Sequence, residues 1–184
     1  VAGQTLLVSG GGGTVGYLAV QLAAWAGAKV IATCSARDMD RVKAAGADSV
    51  LDYRSDTLAA DILATNGGAP VARILEVEFG ANVAMNTEVI APNGTIAAYG
   101  SQIEMVPTLP FGPLLFKAAT LDIILIYLLP LAERQTRITQ LHSALTEGAL
   151  KCPVAQVYPL EKCAAAHDAV LAGGRAGAIL VDCT

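Results

Sequence analysis

The feature that most constrains this chain is a glycine-rich run, Ser9-Gly10-Gly11-Gly12-Gly13-Thr14-Val15-Gly16, set between two apolar segments. Thr5-Leu6-Leu7-Val8 before it has the composition of a buried strand, and Tyr17 to Trp25 after it that of a helix. Gly11, Gly13 and Gly16 satisfy G-x-G-x-x-G, and strand, loop and helix are the context in which that spacing has a mechanism. Gly11 permits the tight turn, the missing side chain at Gly13 lets a pyrophosphate reach the backbone, and Gly16 lets helix pack on strand. The phosphates then lie at the helix N-terminus, beside Thr14 and Val15, where free N–H groups and the dipole favour negative charge. A flexible linker would not carry such flanking patterns.

Length and composition narrow the rest. The 184 residues suffice for one domain with a full core, or one domain and a short appendage. Hydrophobic residues make up 54% and charged residues 15%, a balance that suits a parallel sheet covered by helices on both faces. Net charge is −4 and no basic block appears, so a nucleic-acid partner is not expected. The longest apolar stretch, Ile123 to Leu129, is far shorter than the roughly 20 residues a membrane span needs. No signal peptide is expected from the few residues before the first strand. Cys34, Cys152, Cys163 and Cys183 are scattered, without C-x-x-C or histidines at ligand spacing. They read as small buried thiols in a reducing, cytoplasmic setting, with no metal site. The start at Val1-Ala2-Gly3, without Met, reads as a cut through a longer protein.

Strand and helix patterns alternate. Strands are predicted at Thr5–Ser9, Lys29–Cys34, Ser49–Asp52, Arg73–Glu78 and Thr95–Tyr99. Helices are predicted at Val15–Ala26, Met39–Ala45, Thr57–Thr65 and Val83–Ile90, with Gly27, Gly46 and Gly67 at C-cap positions and a turn at Pro92-Asn93-Gly94. This order predicts an α/β fold, a doubly wound Rossmann-type parallel sheet with helices on both faces. Further on, Pro107, Pro110 and Pro113 break up a loop leading to Phe116–Ala119, and Leu121–Leu128 reads as a buried or dimer-edge strand. Leu131, Ile138, Leu141 and Leu145 mark one face of a helix that stops at Gly148. Val154–Tyr158, Leu160–Leu171 and Ala178–Val181 read as strand, helix and strand.

The end of the second strand selects the cofactor. In dinucleotide folds a carboxylate there binds the ribose 2′-hydroxyl of NAD, whereas a hydroxyl with a nearby Arg admits the 2′-phosphate of NADP. Here it reads Thr33-Cys34-Ser35-Ala36-Arg37, and Asp38 falls where the next helix starts. Ser35 and Arg37 therefore become the expected phosphate ligands and NADPH the expected cofactor. Tyr53, just after the third strand, is placed to close the adenosine side. His142 and His167 fall on predicted helices and are assigned no catalytic role. Tyr158 and Lys162 have Y-x-x-x-K spacing, but Pro159 holds Tyr158 extended, so the two cannot share a helical face.

Several segments together carry a family resemblance. Gly3-Gln4-Thr5-Leu6-Leu7-Val8, Val20-Gln21-Leu22-Ala23, Gly46-Ala47-Asp48, Asp52-Tyr53, Pro92-Asn93-Gly94-Thr95-Ile96, Tyr99-Gly100-Ser101 and Tyr158-Pro159-Leu160-Glu161-Lys162 before Ala166-His167 resemble the medium-chain dehydrogenase/reductase superfamily. The branch is that of zinc-independent, zeta-crystallin-like quinone oxidoreductases, and the resemblance runs over nearly the whole chain. It implies an NADPH-dependent, metal-free reductase of quinones or related activated alkenes and carbonyls. It also implies cofactor contacts from the glycine loop, Ser35 to Arg37, Tyr53, the turn at Phe79, and Tyr99, Gly100 and Ser101.

The chain departs from that pattern in three places. Many relatives carry Lys near the position of Asp38, so Arg37 or Arg41 would replace it. The small-residue turn after the fourth strand is here Glu78-Phe79. The N-terminal GroES-like barrel that builds most of the substrate site precedes this segment in relatives and is not in this sequence. The expected organisation is an NADP-binding domain over residues 1–150 and a segment over 151–184 that in relatives packs back on the catalytic domain. Hydride would pass from the cofactor to a quinone-like small molecule, and a homodimer would form through the sheet edge near 121–128. An enoyl-thioester reductase and a non-catalytic dinucleotide-binding or dimerisation module are the alternatives.

Overall fold

A computed structural model describes all residues, 1–184, and its chain divides into two units, Val1–Leu150 and Lys151–Thr184. The first unit is built on a six-stranded sheet in the order β3-β2-β1-β4-β5-β6. The strands are β1 (Thr5–Val8), β2 (Lys29–Cys34), β3 (Ser49–Asp52), β4 (Val71–Glu76), β5 (Ile90–Ala98) and β6 (Thr120–Ile123). Every neighbouring pair is parallel, which is the Rossmann order with its switch point between β1 and β4.

Alternation along each strand builds two cores. Register aligns Ile31, Leu7, Ile74 and Ile96 in one row across four strands. That face is closed by α3 (Leu58–Thr65) and α4 (Phe79–Val89), whose Ile62 and Val89 are fully buried. Val8, Val30 and Ala32 face the other way, onto α1 (Thr14–Trp25) and α2 (Met39–Ala44) through Val20, Ala23 and Val42. Helices on both faces leave the strands' carboxyl ends along one rim, where ligands bind in this architecture.

Several elements differ from the sequence prediction, each for a local reason. The fourth strand spans Val71–Glu76 rather than Arg73–Glu78, because the Glu76 carboxylate accepts the Glu78 N–H and turns the chain out of the sheet. α4 therefore starts at Phe79, not Val83. The Pro92-Asn93-Gly94 turn is absorbed as an irregularity within β5, with Asn93 at φ 58°. The proline-broken loop contains a short helix, α5 (Phe111–Phe116), and Pro113 is tolerated because it lies in the first turn.

The strand predicted over Leu121–Leu128 is corrected. β6 ends at Ile123, because β5 stops at Ala98 and the last rung is the Ile124 N–H to the Ala98 carbonyl. Beyond it the chain makes a single turn at Ile126–Leu128, and residues 121–128 are exposed rather than buried. α6 (Leu131–Thr146) forms where its pattern predicts, with Ala144 buried and Leu141 and Leu145 open to solvent.

The second unit is a parallel pair, β7 (Val154–Pro159) and β8 (Ala178–Asp182), joined by one tight turn at Leu160–Lys162 and by α7 (Cys163–Leu171). Tyr158 lies in β7 and Lys162 in the following turn, so no helical face joins them. His142 on α6 and His167 on α7 are exposed. The cysteines are corrected in part: Cys34 is buried, Cys163 half-buried, and Cys152 and Cys183 exposed. No helix is long and apolar enough to cross a membrane.

Candidate functional site

The glycine loop leaves β1 at the switch point and enters α1 directly. Gly10 holds φ +69°, and the Gly11 N–H donates to the Thr33 carbonyl at 2.7 Å, fastening the loop to the end of β2. The Gly13 N–H donates to the Gly10 carbonyl at 2.9 Å, closing a turn below the helix. A Cβ on Gly16 would meet that same Gly10 oxygen at 2.2 Å, so α1 descends onto the loop only because residue 16 lacks one. Gly13 is the N-cap, no side chain caps the helix, and its first turn carries no acid. The N–H groups of Thr14, Val15 and Gly16 thus have no intrahelical acceptor. Gly13, Thr14 and Val15 are exposed while Gly11 and Gly16 are buried.

The end of β2 is organised around Asp38. The Ser35 hydroxyl donates to its Oδ2 at 2.6 Å, Arg41 to its Oδ1 at 3.1 Å and Arg37 Nε to Oδ2 at 3.4 Å. A second bond from Arg41 reaches the Gly12 carbonyl, and its guanidinium lies 4.6 Å from the Tyr17 ring centroid. A Cβ on Gly12 would stand 2.9 Å from Asp38 Oδ2. Asp38 therefore faces the glycine loop, and it makes no side-chain cap to α2. Partial burial pushes its carboxyl upward, but the hydrogen bonds from Ser35 and Arg41 and the Arg41 charge outweigh this and hold it below the usual carboxylate range. Asp38 stands at the start of α2, as the sequence places it, but its carboxylate is engaged by Ser35 and the arginines and not by the helix N–H groups. Arg41 Nε is buried and unpartnered, and the Arg37 side chain stays 66% exposed.

Tyr53 follows β3, its N–H donating to the Cys34 carbonyl at 3.3 Å, and its exposed ring carries the Arg54 guanidinium at 4.6 Å. Cys34, buried beside Asp38 and Asp52, has its thiol pushed up to about 11, first by burial and then by those two charges.

The ends of β4 and β5 are tied together. The Tyr99 N–H donates to the Glu76 carbonyl and the Phe79 N–H to the Gly100 carbonyl, each at 3.0 Å. A Cβ on Gly100 would lie 2.4 Å from the Val77 carbonyl oxygen, so the two ends meet backbone to backbone. Ser101 Oγ accepts the Gly80 N–H at 2.8 Å, and the Glu78 carboxylate accepts the N–H groups of Gln102 and Ile103. The departure at Glu78 is therefore a clamp on the loop after β5. The Phe79 side chain packs against the second core and lines a small cavity with Ile96 and Leu114.

Sequence reasoning missed Glu76. It is fully buried, with Asn82 donating to one carboxylate oxygen at 3.0 Å and Asn86 to the other at 2.8 Å. Asn82 also reaches the Ser9 hydroxyl at 3.4 Å, joining the end of β4 to the start of the glycine loop. Burial, and then the Glu76 charge, push the half-buried Tyr99 phenol up to about 12. The only sequence signal was an acid directly after the apolar pair Ile74-Leu75 of the strand. No three His, Cys, Asp or Glu side chains gather where they could hold a metal.

The rim thus offers unpaired helix N–H groups beside a surface accessible to backbone approach, cations at one end, and Tyr99 to Ser101 at the other. The comparisons with known proteins agree with this geometry. A family model described as zinc-binding dehydrogenase matches residues 14–143. The chloroplast envelope quinone oxidoreductase homolog of Arabidopsis thaliana is 31% identical over 185 aligned positions, covering 96% of this chain and 52% of that protein. The trans-enoyl reductase cghC of Chaetomium globosum is 57% identical over 58 residues, 32% of this chain and 16% of that one. Among solved structures, a mycobacterial protein complexed with NADPH superimposes with a TM-score of 0.85 at 27% identity, over 98% of this chain and 58% of its own. Where the match runs along the whole chain, it spans about half the length of the relative, 52% and 58% in the two cases.

Proposed function

This chain belongs to the zinc-binding dehydrogenase family, within the medium-chain dehydrogenases/reductases, and on that premise we propose that it is the NADPH-binding part of an oxidoreductase that passes hydride to a quinone or similar activated alkene or carbonyl. The observation that carries this reading is the approach of α1, at Gly16, to Gly10 and Gly11, which leaves the first-turn N–H groups open on the rim of the switch point. Residues 1–150 form the NADP-binding domain in this reading, and 151–184 the segment that relatives pack against their catalytic domain.

The residues present fit such a cofactor. Gly11, Gly13 and Gly16 give a pyrophosphate access to the backbone beside Thr14 and Val15. Ser35, Arg37 and Arg41 supply a hydroxyl and two cations at the adenosine end, with the unpartnered Arg41 Nε among them, and Tyr53 flanks that end. Tyr99, Gly100 and Ser101 line the opposite end, fixed by Glu76 and Glu78. The cofactor, when bound, supplies the hydride. This chain's part is to bind and orient it, since none of its residues is assigned as catalytic. The family is a zinc-binding one, but no three His, Cys, Asp or Glu side chains of this chain gather where they could hold the metal.

A quinone-like acceptor is supported by the Arabidopsis relative. An enoyl-thioester acceptor is the second reading, favoured by the 57% identity to a trans-enoyl reductase over 58 residues. The proposal includes a homodimer through the free edge of β6, supported by the exposed Ile123, Ile126 and Leu128 beside it. It also includes a reducing, cytoplasmic setting, supported by four unpaired cysteines. The test is NADPH oxidation by the longest natural form of the protein with a small benzoquinone and with a crotonyl thioester. Turnover of the quinone supports the first reading, turnover of the thioester alone the second. Cofactor binding without either turnover leaves a binding module.

A further inference from the structure

The second strand ends in an arrangement that its sequence did not disclose. Ser35, Arg37 and Arg41 are the groups a ribose 2′-phosphate would need, and all three already donate to one acceptor, the Asp38 carboxylate, at 2.6, 3.4 and 3.1 Å. That carboxylate is not turned away into solvent. Its Oδ2 lies 2.9 Å from where a Cβ on Gly12 would be, against the loop that would carry the pyrophosphate. Arg41 bridges the two, bonding both Asp38 and the Gly12 carbonyl. The acid thus occupies the ribose side of the site together with the cations.

We propose that Asp38 is the residue that sets cofactor preference: as an internal anion it takes the place among Ser35, Arg37 and Arg41 that a 2′-phosphate would take, so the chain accepts NADH as well as NADPH. The inference rests on the dinucleotide reading above. A carboxylate accepts hydrogen bonds and donates none, so it suits a ribose 2′-hydroxyl and opposes a 2′-phosphate. A 2′-phosphate would have to draw Ser35 and the two arginines away from Asp38 while standing beside its negative charge. The arginines make NADPH admissible, and Asp38 removes the advantage they would otherwise give it.

The test uses calorimetry on the full chain with two probes that differ only in the 2′-phosphate, 5′-AMP and 2′,5′-ADP, with NADH and NADPH run alongside. In the unaltered chain the two members of each pair bind within about threefold of each other. In Asp38→Asn, which removes the charge and keeps one carbonyl acceptor where the carboxylate has two, the phosphorylated member gains at least about tenfold over its partner, the scale of removing one adjacent charge. Asp38→Ser repeats the measurement should the amide perturb folding, and thermal unfolding of each variant shows that the fold is intact. A ratio unchanged by both substitutions, with binding retained, overturns the role of Asp38 and leaves the dinucleotide site standing. An unaltered chain that already prefers the phosphorylated member by tenfold or more also overturns it. Failure of the unaltered chain to bind any of the four nucleotides overturns the dinucleotide reading, and this inference with it.

Discussion

A Cβ on Gly16 would lie 2.2 Å from the carbonyl oxygen of Gly10. No side chain of L configuration can occupy that space, so Gly16→Ala must lift α1 off the loop or move Gly10. Both displacements disturb the open N–H groups on the rim. NADPH affinity should fall by at least about tenfold, and stability by about 1–3 kcal/mol through backbone strain. Calorimetry and denaturant unfolding measure the two losses, and an alanine variant with unchanged affinity would remove the loop from the site.

Arg41 and Arg37 should separate by their burial. Arg41→Ala loses bonds to Asp38 and the Gly12 carbonyl and the stacking on Tyr17. It should cost about 1–2 kcal/mol in unfolding free energy and weaken NADPH binding. Arg37, with its side chain 66% exposed, should leave stability within about 0.5 kcal/mol when replaced by Ala. It should lower affinity for NADPH and not for NADH. Equal loss of both cofactors in Arg37→Ala would contradict its assignment to the phosphate end.

How far the sequence disclosed this arrangement differs from element to element. Lys29–Cys34 and Ser49–Asp52 form as predicted, because β-branched and apolar runs bounded by turn residues have few other uses. The glycine loop was legible for the same kind of reason: its residues are required by backbone geometry, which is local. The approach of Asp38 to the glycine loop was not legible because its neighbour in space is Gly12, twenty-six positions back along the sequence, and only tertiary packing brings the two together. Glu76 was missed likewise, because the amides that satisfy its carboxylate, Asn82 and Asn86, are brought to the end of β4 only by the packing of α4. The apolar run over 121–128 misled most, since hydrophobicity alone cannot show that β5 ends at Ala98 and offers no further rungs.

The buried row across the sheet should dominate folding stability. Ile74 is 1% exposed and stands between Leu7 and Ile96 in register. Ile74→Ala should destabilise the chain by about 2–5 kcal/mol, from lost transfer free energy and the cavity left behind. Denaturant unfolding that shows less than about 1 kcal/mol would contradict the packing described.

Cys34 should report on pH. Its thiol rises from 9.0 to about 11 in the fold, so the folded chain holds the proton that the unfolded chain releases first. The associated stability is complete below pH 9 and is lost as pH rises through about 11. Cys34→Ala should flatten the unfolding free energy across that interval. At pH 8, a thiol reagent should modify the exposed Cys152 and Cys183 in the native chain and reach Cys34 only after unfolding. Rapid native modification of Cys34 would contradict its burial.

The central claim is that a dinucleotide lies across the rim with its pyrophosphate on the glycine loop. The most direct measurement is the backbone amide NMR spectrum of the chain titrated with NADPH. The account predicts shifts concentrated at Gly10 to Gly16, Ser35 to Arg41, Tyr53 and Tyr99 to Ser101, with the largest in the loop. A titration that leaves the loop amides unmoved, or moves only residues away from the strands' carboxyl ends, would contradict it.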